Sequence, residues 1–183
     1  PPSAPQDGPN EATDHSYSPV PGLTQGQMEP ETAAKALYEI RRRVGTKKRF
    51  ELGLHFYDTE DLAESLDDYP AVRTRIHEAH GMMQKDDPDW ERINIIYRVY
   101  HTEDNLPPHL DRTPLFQDDV WSAVLYNNSD STLTLRHPDH PEETISMEED
   151  TGTVTLLEGE SRQVWEHGVT PLGGGTRVSL SWR

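Results

Sequence analysis

His109-Leu110-Asp111, a gap of 55 residues, His167, and then Arg177-Val178-Ser179 form the pattern in this sequence most able to do chemistry. Two imidazoles and one carboxylate are the ligand set of the facial triad that holds non-haem Fe(II) and leaves three coordination positions open. A guanidinium shortly after the second histidine offers a rigid donor fork, which suits a dicarboxylate co-substrate better than a lysine point charge does. The ordered spacing and the downstream arginine make the pattern far more specific than any two of the nine histidines in the chain.

Such groups need a frame. From residue 92 the sequence breaks into short β-rich runs at 92–100, 121–126, 131–136, 143–147, 152–157, 162–167 and 176–182. The turns between them carry Pro107-Pro108, Asn127-Asn128, Pro138 and Pro141, Glu158-Gly159 and Gly173 to Gly175. Many short strands at this spacing predict a sandwich or jelly roll. Residues two apart on a strand face the same side, so His109 and Asp111 can share the interior, with His167 at the end of the 162–167 strand meeting them from across the roll.

Ahead of this core, Ala33, Leu37, Ile40 and Val44 fall on one helical stripe that starts near Glu29-Pro30-Glu31 and ends at Gly45. Residues 50–57 (FELGLHFY) read as a strand. Residues 59–85 read as helical, with Leu62, Leu66 and Tyr69 on one face, Pro70 marking a break or restart, and Ile76, Ala79 and Met83 beyond it. Residues 1–30 hold seven prolines and little apolar periodicity, the composition of a disordered or extended arm. The expected architecture is α+β, mainly β: a double-stranded β-helix (jelly-roll) core over 92–183, buttressed by N-terminal helices within a single domain spanning 31–183.

The chain is strongly acidic, with 33 Asp+Glu against 17 Lys+Arg and a net charge of -16. That field opposes non-specific nucleic-acid binding unless the few cations cluster. Clusters occur at Arg41-Arg42-Arg43 and Lys47-Lys48-Arg49. There is no cysteine, which excludes disulfides and thiolate metal sites. No stretch approaches the roughly twenty apolar residues of a membrane span. The expectation is a monomer of the cytoplasm or nucleus; an opening on Pro1 rather than Met is expected of a processed or shortened product, from which any targeting segment would be missing.

Other candidates are weaker. His77-Glu78-Ala79-His80 has its histidines three apart, whereas a zinc-peptidase helix needs them four apart, and it reads as a solvated helix face. His137 and His140 lie in an exposed turn, and His55 and His101 have no partner pattern. Trp121, Trp165 and Trp182 fit either core or cavity wall.

At the triad residues the chain resembles the Fe(II)/2-oxoglutarate-dependent dioxygenases, and its ending resembles the AlkB branch. The residues that carry this are Gly-Glu-Ser-Arg (159–162), His167-Gly168, Pro171-Leu172 and the closing Arg-x-Ser-x-Ser-x-Arg (177–183), across a resemblance spanning about 92–183. Tyr100 stands where that family has the tyrosine of an Asn-x-Tyr pair that touches 2-oxoglutarate, but Arg98 replaces the asparagine and Ser179 replaces a second one. The resemblance implies that His109, Asp111 and His167 hold Fe(II), with Arg177, Tyr100 and Ser179 on the distal carboxylate of 2-oxoglutarate. It implies that Arg183 approaches the iron carboxylate and the substrate. O2 would be consumed, with ascorbate as reductant, and 2-oxoglutarate would leave as succinate while a substrate is hydroxylated or oxidatively demethylated. Methylated nucleic acid and a small-molecule metabolite are the leading substrate classes, and a protein substrate is the less favoured third.

Overall fold

Ten strands and three α-helices make up the regular structure of the computed structural model, which describes residues 19–54, 64–111 and 119–183. In chain order they are β1 (Leu23–Gln27), α1 (Pro30–Val44), β2 (Arg49–Gly53), α2 (Pro70–Met82), β3 (Asn94–Tyr100), β4 (Leu106–His109), β5 (Val120–Asn127), β6 (Thr132–His137), β7 (His140–Glu148), β8 (Thr153–Leu157), α3 (Gly159–Gln163), β9 (Glu166–Val169) and β10 (Arg177–Trp182). The strands form a six-stranded sheet in the order β1-β8-β5-β10-β3-β2 and a four-stranded sheet in the order β4-β9-β6-β7. Neighbours pair antiparallel throughout both sheets. This is the double-stranded β-helix that the strand pattern predicts.

Alternation along the large sheet divides its residues between two environments. Ile95 and Tyr97 of β3, Trp121, Ala123 and Leu125 of β5, Val154 and Leu156 of β8, and Val178, Leu180 and Trp182 of β10 join the core that includes α1 and α2. Their neighbours in sequence (Ile96, Arg98, Tyr100; Val120, Ser122; Thr155, Leu157; Arg177, Ser179, Ser181) line a cavity on the opposite face. Each large apolar side chain buried on the helical side stabilises the fold by roughly 1.5–3 kcal/mol, which anchors the polar residues one position away.

Helix α1 buries Ala33, Ala36, Leu37 and Ile40 and stops at Gly45, whose φ of 61° is left-handed. Pro70 opens α2 at its first turn rather than breaking a longer helix, because its missing N–H would be unbonded there anyway. Ahead of it lies only a short 3-10 turn, Leu66–Asp68, so the helical reading from residue 59 is corrected. Leu62, His55 and the end of the 50–57 strand reading fall outside the described residues. Strand β1 extends the edge of the large sheet through pairs such as Leu23↔Leu157, within the stretch read as an arm; residues 1–18 of that stretch lie outside the described residues.

The run at 162–167 is not one strand. Its first half closes α3, where Glu158 and Ser161 form a capping box, and only Glu166 and His167 enter β9. Six residues of mixed polarity cannot separate one helical turn from a strand, and the local cap decides the outcome.

Candidate metal and anion site

The metal end is built on two adjacent strands. His109 ends β4 and is the register partner of His167 in β9, so the histidines stand side by side in one sheet and do not meet across the roll. Pro107 and Pro108 have no N–H to give the ladder, and its register shifts between Leu106 and His109. Asp111 lies beyond the end of β4, so the expectation of one strand carrying both residues is also corrected. The carboxylate still turns inward and is buried.

His109 Nε2 lies 3.3 Å and His167 Nε2 3.5 Å from the same atom, Asp111 Oδ1. The three possible ligand atoms all lie within 4.8 Å of one another. The Nδ1–H of His109 donates to the Pro107 carbonyl at 2.9 Å, which leaves its Nε2 lone pair aimed inward, as a metal-binding imidazole requires. Arg183 Nη1 approaches Asp111 Oδ2 at 3.1 Å, without the alignment of a hydrogen bond. A His2Asp donor set so gathered fits a divalent metal with open coordination positions.

Electrostatics agree with the geometry. Burial pushes the Asp111 carboxyl up, but His109, His167 and Arg183 outweigh it and hold the group well below the usual carboxylate range. The hydrogen bond to Asp111 raises the His109 pKa, whereas burial lowers that of His167. Asp111 is therefore ionised and ready to ligate at neutral pH.

The anion end is built on the large sheet. Arg177 is the register partner of Tyr100, and its guanidinium lies 5.2 Å from the tyrosine ring centre. Its Nη1 donates to Ser179 Oγ at 2.9 Å and its Nη2 to Glu149 Oε1 at 2.7 Å. A guanidinium has five N–H donors, so these two bonds leave three for a ligand. Glu149, in the turn between β7 and β8, is buried to 3% exposure and was missed by sequence reasoning; nothing separates it from its acidic neighbours Glu148 and Asp150.

The two ends share one cavity of about 410 Å³, lined by His109, Asp111, His167, Arg177, Tyr100, Ser179 and Arg183, with apolar walls from Leu106, Val120, Leu133, Leu157 and Val169. All seven residues named from the sequence are thus brought together. Three tryptophans are not: Trp121 and Trp182 belong to the helical core and Trp165 to an apolar cluster with Leu133 and Leu157. His80 corrects a second reading. It is buried, stacks on Trp121 with ring centres 3.9 Å apart, and accepts the Trp182 indole N–H at 3.0 Å. Of that motif only His77 is on the solvated face, at 65% side-chain exposure.

The chain has the fold of the Fe(II)/2-oxoglutarate-dependent dioxygenases in its AlkB-like form, with a His-Asp-His triad in place. Among solved structures it superposes on a prolyl-4-hydroxylase of Pseudomonas putida with TM-score 0.59 and 15% identity, covering 88% of this chain and 90% of that one. It superposes on OsALKBH1 with TM-score 0.59 and 15% identity, covering 92% of this chain and 100% of that one. In sequence it is 30% identical over 87 residues to the tRNA (carboxymethyluridine(34)-5-O)-methyltransferase alkbh8 of Xenopus tropicalis. That match covers 48% of this chain but only 13% of the relative's length. No protein-family model matches.

Proposed function

We propose that this protein is an Fe(II)- and 2-oxoglutarate-dependent oxygenase that couples oxidation of 2-oxoglutarate to succinate with hydroxylation or oxidative demethylation of a second substrate. The observation that carries this reading is the convergence of His109, Asp111 and His167 with Arg177, Ser179 and Tyr100 in one cavity. Bound iron would supply dioxygen activation and the oxidising power of the reaction, with ascorbate keeping the metal reduced. The chain supplies position. His109, Asp111 and His167 hold the metal, and Pro107 fixes the His109 ring. Arg177, with Tyr100 and Ser179 beside it, takes the distal carboxylate of 2-oxoglutarate through charge-assisted hydrogen bonds. Arg183 steadies Asp111 at the other end. Leu106, Val120, Leu133, Leu157 and Val169 keep the space between them poor in water.

A small-molecule substrate fits the cavity best. Its volume is that of a metabolite pocket. Among the described residues its only Phe, Tyr or Trp side chain is Tyr100, whose ring lies within cation–π range of Arg98 and Arg177. The second reading, methylated nucleic acid, draws on the alkbh8 relative and on Arg41 to Arg43. In the structure Arg42 lies against Tyr38 and Arg43 against Tyr69.

The test is direct. Purified protein with Fe(II), ascorbate and 2-oxoglutarate should form succinate slowly even without a second substrate, and His109→Ala or Asp111→Ala should abolish it. A wild type that neither turns over nor binds 2-oxoglutarate overturns the proposal. Salt-sensitive oligonucleotide binding that weakens when Arg41 to Arg43 are neutralised would transfer preference to the nucleic-acid reading.

A further inference from the structure

Four guanidinium groups line the cavity of this acidic protein: Arg49, Arg98, Arg177 and Arg183. Three have a carboxylate at hand: Arg177 has Glu149 at 2.7 Å, Arg183 has Asp111 at 3.1 Å and Arg49 has Glu51 at 3.0 Å. Arg98 is different. Its contacts among the described residues are the Tyr100 hydroxyl at 3.3 Å and the Tyr100 ring, neither of which carries a negative charge. Arg98 and Arg49 are also direct register partners on β3 and β2. Like charges directly opposite one another weaken a sheet, and both side chains are only half-buried, so they border solvent while Arg177 does not.

We infer that Arg98, with Arg49 beside it, forms a second anion subsite that receives a carboxylate or phosphate group of the oxidised substrate. The inference rests on the oxygenase reading for the name of its occupant. The distal carboxylate of 2-oxoglutarate already has a buried guanidinium, a hydroxyl and a phenol on β10 and β3. Arg98 lies two residues along β3 from Tyr100, opposite Ser179 of β10 on one side and opposite Arg49 of the edge strand β2 on the other. Its guanidinium presents a planar donor fork, which matches an oxyanion better than the amide that the resembled family places there. The substrate class is thus a small organic anion, its acidic group on Arg98 and its reacting carbon towards the triad.

The experiment uses the full chain loaded with Zn(II), which binds the same ligand set without turnover, and saturated with 2-oxoglutarate. Benzoate and phenyl phosphate serve as carboxylate and phosphate probes, with benzyl alcohol as the neutral control, and calorimetry reads the Kd. At least one anion should bind saturably, benzyl alcohol should not, and the preferred anion identifies the acidic group. Arg98→Gln and Arg49→Gln should each weaken that anion by tenfold or more, with the 2-oxoglutarate Kd moving less than twofold and thermal melts confirming the fold. Absence of anion binding, or binding indifferent to Arg98→Gln, overturns the subsite. So does an equal loss of 2-oxoglutarate affinity, which would assign Arg98 to the co-substrate. If wild type fails to bind 2-oxoglutarate, the oxygenase reading falls by itself, and titrating the Zn(II) protein with the anions alone still decides the subsite.

Discussion

The two sheets hold their halves of the site by different means. On the six-stranded sheet, Arg177 and Ser179 alternate with Val178 and Leu180 of the helical core, Tyr100 follows Val99 packed against that core, and Arg177 is fixed by a buried carboxylate. On the four-stranded sheet, His109 and His167 sit on strands of four residues each, and His109 is 39% exposed. Asp111 has no strand around it at all. The anion end is therefore preorganised by the fold, whereas the metal end depends on a few local contacts and on the ion it would bind. In physical terms, metal affinity can replace packing as the source of order at a ligand site.

The largest test of this contrast is Arg177→Met. It leaves Glu149 buried with an unpaired charge, because Oε1 loses its only strong donor and Oε2 has none. Breaking a buried pair in this way costs about 3–5 kcal/mol. Urea denaturation should show a loss of that size, and the double variant Arg177→Met/Glu149→Met should recover most of it. A single variant that loses less than about 1 kcal/mol would mean that the anion end is no better organised than the surface.

The second test is Gly168→Ala. A Cβ there would lie 2.4 Å from the Leu106 carbonyl oxygen and 2.9 Å from Pro108 N, so β4 must move away from β9. That segment carries Pro107, which orients His109. Overpacking of this kind costs about 1–3 kcal/mol. The sharper readout is metal affinity, which should fall along with stability, while the bonds of Arg177 to Ser179 and Glu149 stay in place. Unchanged metal affinity would show that the short strands are not what sets the geometry.

The same contrast explains what was legible in the sequence. Strands β3, β5, β6, β8 and β10 follow from alternation, because long-range pairing and the helical core agree with the local pattern. The gathering of His109, Asp111, His167 and Arg177 around one cavity was legible because the chemistry expected of them constrains residue type and spacing. The strand pairing of His109 with His167 was not, since register between distant segments leaves no mark in either one. Glu149 was hidden for a related reason: only folding distinguishes it from the other acids of its turn. His80 looked solvated because its motif resembles a surface helix, and its burial depends on Trp121 and Trp182, which are 41 and 102 residues away.

The smallest predicted effect lies in the dependence of stability on pH. Burial lowers the pKa of His80, whose Nδ1–H donates to the Asp86 carbonyl and whose Nε2 accepts from Trp182. The nearby Asp87 carboxylate opposes that shift and His77 adds to it. The unfolded chain takes up the proton near pH 6.5, the ordinary histidine value, and the folded chain only at lower pH. The stabilisation from neutral His80 is therefore complete above about pH 6.5 and is lost as pH falls towards the folded pKa, by at most about 1.4 kcal/mol per pH unit. At the metal end His109 shifts up and His167 down, so their contributions to the metal-free protein oppose one another. Urea midpoints of metal-free wild type should fall between pH 7 and 5, and His80→Gln should flatten that decline. Parallel curves for the two proteins would move the acid sensitivity from the packed sheet to the triad, and with it the claim that the core behind β10 is what holds the anion end in place.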